Sequence, residues 1–253
     1  MFREEREVNI LERLKFNNRV SVQELCQEFG VSESSIRRDL RILQTKGLLV
    51  RTYGGGISVK EKNRPHPTDI RKKEFREHKM RIAKKAFSLI REGEIIIIDG
   101  STTTYYMVPF LRNMRNLTVI TNSMEIYLEI FNNNNLIHHL TGGTLRRDTM
   151  NLSGQLTIES LEQFYVDKLF LGVRGIHIEK GMSGLVWEET SVKRTMIKTA
   201  KQVIACADSS KINWVDRSII GPLEDIDILI TDRGIRNEEK ESLEKKGMKV
   251  ILA

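Results

Sequence analysis

The sequence predicts an α/β protein in two parts. A small helical head with a two-stranded wing precedes a larger body built on a doubly wound, mostly parallel sheet. Residues 3–45 carry three apolar stripes at helical spacing. Residues 95–252 carry seven short apolar runs with amphipathic helical segments between several of them, the alternation expected of a parallel sheet covered on both faces. Between these regions, residues 61–73 are polar and hold Pro65 and Pro67, which discourage helix. At 253 residues the chain is long enough to bury two cores. The expected divisions are therefore a head at 1–60, a linker at 61–73 and a body at 74–253.

In the head, Arg6, Ile10, Leu11 and Leu14 recur at helical spacing and predict a first helix over 3–16. Ser21-Val-Gln-Glu24 has the capping-box pattern and opens a second helix that Gly30 can end. Ser32 is a good N-cap for a third, in which Ile36, Leu40 and Leu43 form an apolar stripe. At about 100° per residue, Ser34, Arg38, Arg41 and Thr45 fall on the opposite side, with Arg37 on the flank. Alone, such a helix is equally an ordinary amphipathic one with a solvated face. Its context changes the reading, because two helices joined by a short Gly-containing turn, the second of them basic, form a helix-turn-helix. Arginine can bond guanine bidentately, and small hydroxyls suit phosphates or bases. Leu48–Tyr53 and Ile57–Val59, joined by Gly54-Gly55-Gly56, predict the wing, from which Arg51 and Tyr53 can reach a DNA backbone.

Residues 6–60 thereby resemble the DNA-binding head of the DeoR-type family of bacterial transcriptional repressors. Arg6, Ile10, Leu14, the run Ser32-x-x-Ser35-Ile36-Arg37-Arg38-Asp39-Leu40 and the glycines after Tyr53 carry the resemblance. Ser35 stands where the family usually has Thr, which keeps the hydroxyl. The resemblance extends over nearly the whole chain. It implies double-stranded operator DNA as partner, with Ser32, Ser34, Ser35, Arg37, Arg38, Arg41, Thr45, Arg51 and Tyr53 as candidate DNA-binding residues.

Charge agrees with a polyanionic partner. The formal net charge of +7 is concentrated in residues 1–60, with 11 basic and 8 acidic groups, and 61–92, with 11 and 5; the rest is nearly balanced. The basic segment 74–91 reads as an amphipathic helix, and its Lys and Arg more simply as a solvated face than a DNA contact. Cys26 and Cys206 are far apart and lack a CxxC or His partner, the pattern of two buried thiols in a reducing cytoplasm. The five histidines make no metal pattern, and no cofactor is implied. No apolar run approaches membrane-spanning length, so a soluble cytoplasmic protein is expected.

In the body the apolar runs are 95–98, 117–120, 136–140, 168–173, 203–207, 226–230 and 249–252, with helical segments near 103–112, 123–131, 154–164, 188–200 and 236–246. Open parallel sheets bind ligands beyond the carboxyl ends of their strands. There the sequence places Asp99-Gly100-Ser101-Thr102-Thr103-Thr104, Thr121-Asn122, Thr141-Gly142-Gly143-Thr144 followed by Arg146, Gly172-Val-Arg174-Gly175, and Asp208-Ser-Ser-Lys211. Amides and hydroxyls where a strand enters a helix suit phosphate, although the hydroxyls can equally cap the helix. This half is similar to the family's sensor domain, which is related to sugar-phosphate isomerases and CoA-transferases and binds phosphorylated sugars or related metabolites. By matching position, the resemblance implies Asp99, Gly100, Ser101, Thr102 and Thr103 at a phosphate end, with Thr121, Asn122, Gly142, Gly143 and Arg146 lining the pocket. It places Glu188, Asp208 and Lys211 near the sugar. Arg174 and Leu185-Val186-Trp187 depart from the family pattern and are expected to line the pocket too.

The expected function is repression of a carbohydrate operon by a homo-oligomer, dimer or tetramer, whose operator affinity a small anionic metabolite modulates. The alternative is a sugar-phosphate isomerase or transferase carrying a basic head, with acid–base chemistry from Asp99, Asp148, Glu188 or Asp208. That alternative leaves the head without a role.

Overall fold

The computed structural model describes residues 2–17, 19–52, 54–58 and 68–253. They divide into two compact units, Met1–His66 and Pro67–Ala253. In the first, α1 (Arg3–Asn17), α2 (Val22–Phe29) and α3 (Glu33–Thr45) enclose Ile10, Leu14, Leu25, Ile36, Leu40 and Leu43. The local signals are realised: Ser21 and Glu24 form the capping box of α2, Gly30 ends it by donating its amide to Cys26 O, and Ser32 caps α3.

The wing has one strand more than expected. β1 (Arg19–Ser21) pairs with β3 (Gly55–Ser58), which in turn pairs with β2 (Leu49–Thr52). Gly55 and Gly56, expected in the turn, are strand residues. A Cβ on Gly55 would fall 1.8 Å from Val20 O, so only glycine lets β1 close on β3. Tyr53 lies outside the described residues, as do 59–67, which hold most of the expected linker.

The second unit begins with a departure. Thr68–Lys73, expected as linker, is a helix (α4), and α5 follows it (Arg76–Phe87). Met80 of α5 is exposed although apolar, whereas Lys79 is buried although charged. Ile82, Ala83 and Ala86 make the stripe that packs.

Seven strands then build one sheet: β4 (Ile95–Ile98), β5 (Leu117–Thr121), β6 (Leu136–Leu140), β9 (Lys168–Gly172), β12 (Val203–Cys206), β14 (Ile228–Thr231) and β15 (Lys249–Leu252). Their spatial order is β15-β14-β12-β9-β4-β5-β6 and every pairing is parallel. Alternate residues serve two cores, as period-two geometry requires. Ile96, Ile98, Phe170, Ile204 and Ile230 face α5 together with α6 (Val108–Leu111) and α7 (Met124–Ile130). Ile97, Leu169, Leu171, Ala205 and Leu229 face α8 (Gln155–Glu162), α9 (Trp187–Lys198) and α10 (Asn237–Glu244).

Five short strands had no clear signal in the sequence. β7 (Thr144–Arg146) and β8 (Asn151–Ser153) form a hairpin, while β10 (Gly175–His177), β11 (Gly181–Gly184) and β13 (Ser218–Gly221) form a small antiparallel sheet. Cys206 is buried but Cys26 is only half-buried; both are free thiols. Among the described residues no helix is long and apolar enough to cross a membrane.

Candidate functional site

On the head, α3 turns Ile36, Leu40 and Leu43 inward and leaves Ser32, Ser34, Arg38, Arg41 and Thr45 exposed. Its rotation is fixed by a buried anchor. Arg6 donates to both oxygens of Asp39, Nε to Oδ2 at 2.7 Å and Nη2 to Oδ1 at 3.3 Å. The hydroxyls of Ser34 and Ser35 lie 2.9 and 3.1 Å from that of Ser32, so the three form one network at the helix start. Thr45 Oγ1 donates back to Arg41 O, and the half-buried Arg37 pairs with Glu33 at 3.1 Å. Arg51 reaches the same region from β2. Burial, and then the guanidiniums of Arg41 and Arg37, pull its pKa below the ordinary value. Three like charges held together on one face are what a phosphate backbone would neutralise.

On the body, strand order reverses between β4, whose neighbours β5 and β6 follow it, and β9, from which β12, β14 and β15 continue. A topological switch point of this kind opens a ligand crevice. Asp99, just past β4, and Gly172, the last residue of β9, meet there. Gly172 N donates to Asp99 Oδ2 at 2.9 Å, and Lys193 of α9 donates to the same oxygen at 2.5 Å. Asp99 is only 1% exposed. A Cβ on Gly172 would stand 2.1 Å from Ser101 Oγ, so glycine is what lets these groups converge.

The other expected residues divide into structural and unspent groups. Ser101 Oγ bonds Thr104 Oγ1 at 2.8 Å and accepts from Thr104 N, a local cap. Thr121 Oγ1 donates to Ile98 O at 2.7 Å. Asn122 accepts from Gly100 N and donates to Leu152 O, while Asn151, which the sequence reading missed, donates to Gly100 O. Thr102 is half-buried and Thr103 buried beside this loop. Gly142 O accepts from Thr157 Oγ1, and Gly143 adopts a φ of +123°.

Arg146 is paired with Asp148 at 2.8 Å and lies 3.6 Å from Glu189; Arg174 is paired with the buried Asp216 at 2.7 Å. Glu188, the expected carboxylate of α9, is exposed, and its half-buried neighbour Glu189 turns toward Arg146. One residue on a helix is about 100° of rotation, which sequence alone does not fix.

Asp208, past β12, is 1% exposed. Its burial pushes the carboxyl pKa up, but Lys211, the Ser210 hydroxyl and Lys79 outweigh this and hold it below the ordinary carboxylate value. Lys211 Nζ is 4.0 Å from Asp208 Oδ2. Asp208 Oδ2, Thr141 Oγ1, Thr231 Oγ1 and Asn151 Oδ1 are buried with no hydrogen-bond partner among the described residues. An unsatisfied buried polar group costs about 1–3 kcal/mol, so groups of this kind at the strand ends are available to a polar partner, water or ligand. Among the described residues no group of three His, Cys, Asp or Glu side chains is placed to hold a metal ion.

A cationic helix-turn-helix face on one unit and a polar strand-end site on the other define the class: a two-domain transcriptional regulator. Family models agree, the DeoR-like helix-turn-helix domain matching residues 6–62 and the DeoR C terminal sensor domain residues 74–233. The chain belongs to the DeoR family. It is 36% identical to the HTH-type transcriptional repressor GlcR of Bacillus subtilis (strain 168), covering 100% of this chain and 97% of that one. It is 31% identical to the HTH-type transcriptional regulator GolR of Listeria innocua, over 100% of both chains. A solved ribose 5-phosphate isomerase A from Methanocaldococcus jannaschii superposes on 53% of this chain and 53% of its own, at TM-score 0.39 and 16% identity, a likeness too slight to bear on function.

Proposed function

We propose that the chain is a cytoplasmic repressor of a carbohydrate operon whose DNA affinity is set by a phosphorylated sugar or a similar small anion. The observation that carries the DNA half is the outward face of α3, where Arg38 and Arg41 stand free of the core and Arg51 is crowded against Arg41 and Arg37. Arg38 and Arg41 read base edges or phosphates in the major groove, the hydroxyls of Ser32, Ser34, Ser35 and Thr45 contact the backbone, and Arg51 and Tyr53 follow from the wing. One head covers only one half-site, so the working form is a homo-oligomer that places heads on repeated sites.

In the body, the buried, unsatisfied Asp208 Oδ2, Thr141 Oγ1 and Asn151 Oδ1 support a polar ligand over the strand ends. The loop from Asp99 to Thr103 takes its phosphate. Thr121, Asn122, Gly142, Gly143, Arg146, Arg174, Glu188, Asp208 and Lys211 surround the remainder. The body binds this ligand without converting it, and acts by preferring one of two DNA-affinity states. Fluorescence anisotropy on DNA from upstream of its own gene, titrated with phosphorylated sugars, tests the reading. Conversion of a sugar phosphate by the pure protein would contradict it.

A further inference from the structure

The segment from Thr68 to Lys79 runs across the carboxyl ends of the sheet. At one end Thr68 Oγ1 donates to Asp148 O at 2.8 Å, in the β7–β8 hairpin. In the middle Lys72 pairs with Glu125 at 2.9 Å, lies 3.8 Å from the centre of the Tyr105 ring, and accepts at its carbonyl from Tyr106 OH. At the other end His78 Nδ1 is 3.1 Å from Asp232 Oδ1, just past β14. The strap thus lies over the loops at the carboxyl ends of the sheet, above the candidate site.

Two of its cations are drawn out of solvent. Lys79 is 3% exposed. It donates to Arg71 O and Glu74 O, and it faces Asp208 and Lys211. Arg71 lies near Arg174, Glu189 and Asp148, and its buried Nε has no hydrogen-bond partner among the described residues. Of the nearby carboxylates, Asp148 and Glu189 are already shared with Arg146 and Asp208 binds Ser210 through Oδ1, which leaves Glu74, on the strap itself, as the carboxylate that favours both charges. Each strap cation also has another cation beside it, Arg174 for Arg71 and Lys211 for Lys79. Removing such charges from water is costly unless a counter-charge arrives with matching hydrogen bonds.

We infer that Arg71 and Lys79 are ligand-binding residues: the strap holds an anionic group of the effector from above while the strand ends hold the ligand from below. The guanidinium of Arg71 takes a phosphate or carboxylate through its free donors, and Lys79 adds charge from the turn that it also ties together. The inference rests on the proposed reading that this crevice binds a small anion. Its consequence is regulatory. Only residues 59–67 separate Ser58, the last residue of β3, from Thr68, so the ligand grips the very segment into which the chain from the head runs.

The test uses the full chain and inorganic phosphate as probe, followed by calorimetric titration and by hydrogen exchange of the peptide covering 68–79. Wild type should bind phosphate and slow exchange in that peptide. Arg71→Gln should weaken binding at least tenfold and lose the exchange effect, and Arg71→Lys should recover part of both. Thr103→Val, in the loop after β4, should weaken binding as well. If Thr103→Val weakens binding while Arg71→Gln binds as wild type, the strap inference is overturned and the anion pocket stands. If wild type neither binds phosphate nor changes exchange, the pocket reading fails and takes the inference with it.

Discussion

Arg6 on α1 and Asp39 on α3 form a two-pronged ion pair beneath the DNA-reading helix, with Asp39 buried and Arg6 nearly so. Because Asp39 follows Arg38 directly, anchoring one points the other away from the core. The same pair joins the first helix of the head to the third.

Removing one partner leaves a buried charge uncompensated, at a cost of about 3–5 kcal/mol. Arg6→Ala should therefore destabilise the head by that order, lowering its denaturation midpoint, and reduce operator binding with it. The double variant Arg6→Met/Asp39→Leu should recover much of the stability. Chemical denaturation followed by far-UV circular dichroism checks both.

Arg38→Ala should leave that midpoint unchanged and cost about 1–3 kcal/mol of operator affinity if the side chain reads a base, with discrimination relaxed at one position. Arg51→Ala should weaken all sequences alike and lower the salt slope by about one. Anisotropy at several salt concentrations separates the two behaviours.

Lys211→Ala should leave operator affinity intact and abolish the response to effector. Loss of both would assign Lys211 a structural role. Lys193→Met removes the cation that answers buried Asp99 and should lower the melting temperature of the body as well as its effector binding, by a mechanism distinct from Lys211.

Burial, and then the charge of Lys211, lower the pKa of Lys79 from 10.5 to about 8, against the opposing pull of Asp208 and Glu74. A lysine lowered in the folded state is penalised while charged. Its contribution to stability therefore rises as pH climbs from about 8 toward 10.5, where the unfolded chain holds more protons. An anion bound beside it reverses the preference and draws a proton in. Phosphate affinity should thus fall as pH rises past about 8, with proton uptake visible in buffers of different ionisation enthalpy, and Lys79→Met should flatten this dependence.

Much of this fold was legible because its signals are local. The five inner strands of the parallel sheet are largely buried and read as short apolar runs such as Ile95–Ile98, while Ser21 and Ser32 mark helix starts through side-chain caps. The three-residue strands β1, β7, β8 and β10 are too short to show alternation, and β1 exists because Gly55 lets it approach. Candidate site positions were legible wherever a strand end carried its own polar residues. Lys193, Arg71 and Lys79 were not, because a lysine inside a helix or an arginine in a charged run reads as solvated until tertiary packing buries it. That Glu189 rather than Glu188 turns toward Arg146 depends on one helical step, which the sequence does not fix.

The most direct measurement is anisotropy of the full chain on DNA from upstream of its own gene, at one fixed salt concentration, with a panel of phosphorylated sugars added. The expected result is tight binding that Arg38→Ala weakens, with at least one sugar phosphate shifting the affinity by about 5–150-fold. Binding indifferent to Arg38, or to every phosphorylated sugar, would contradict it.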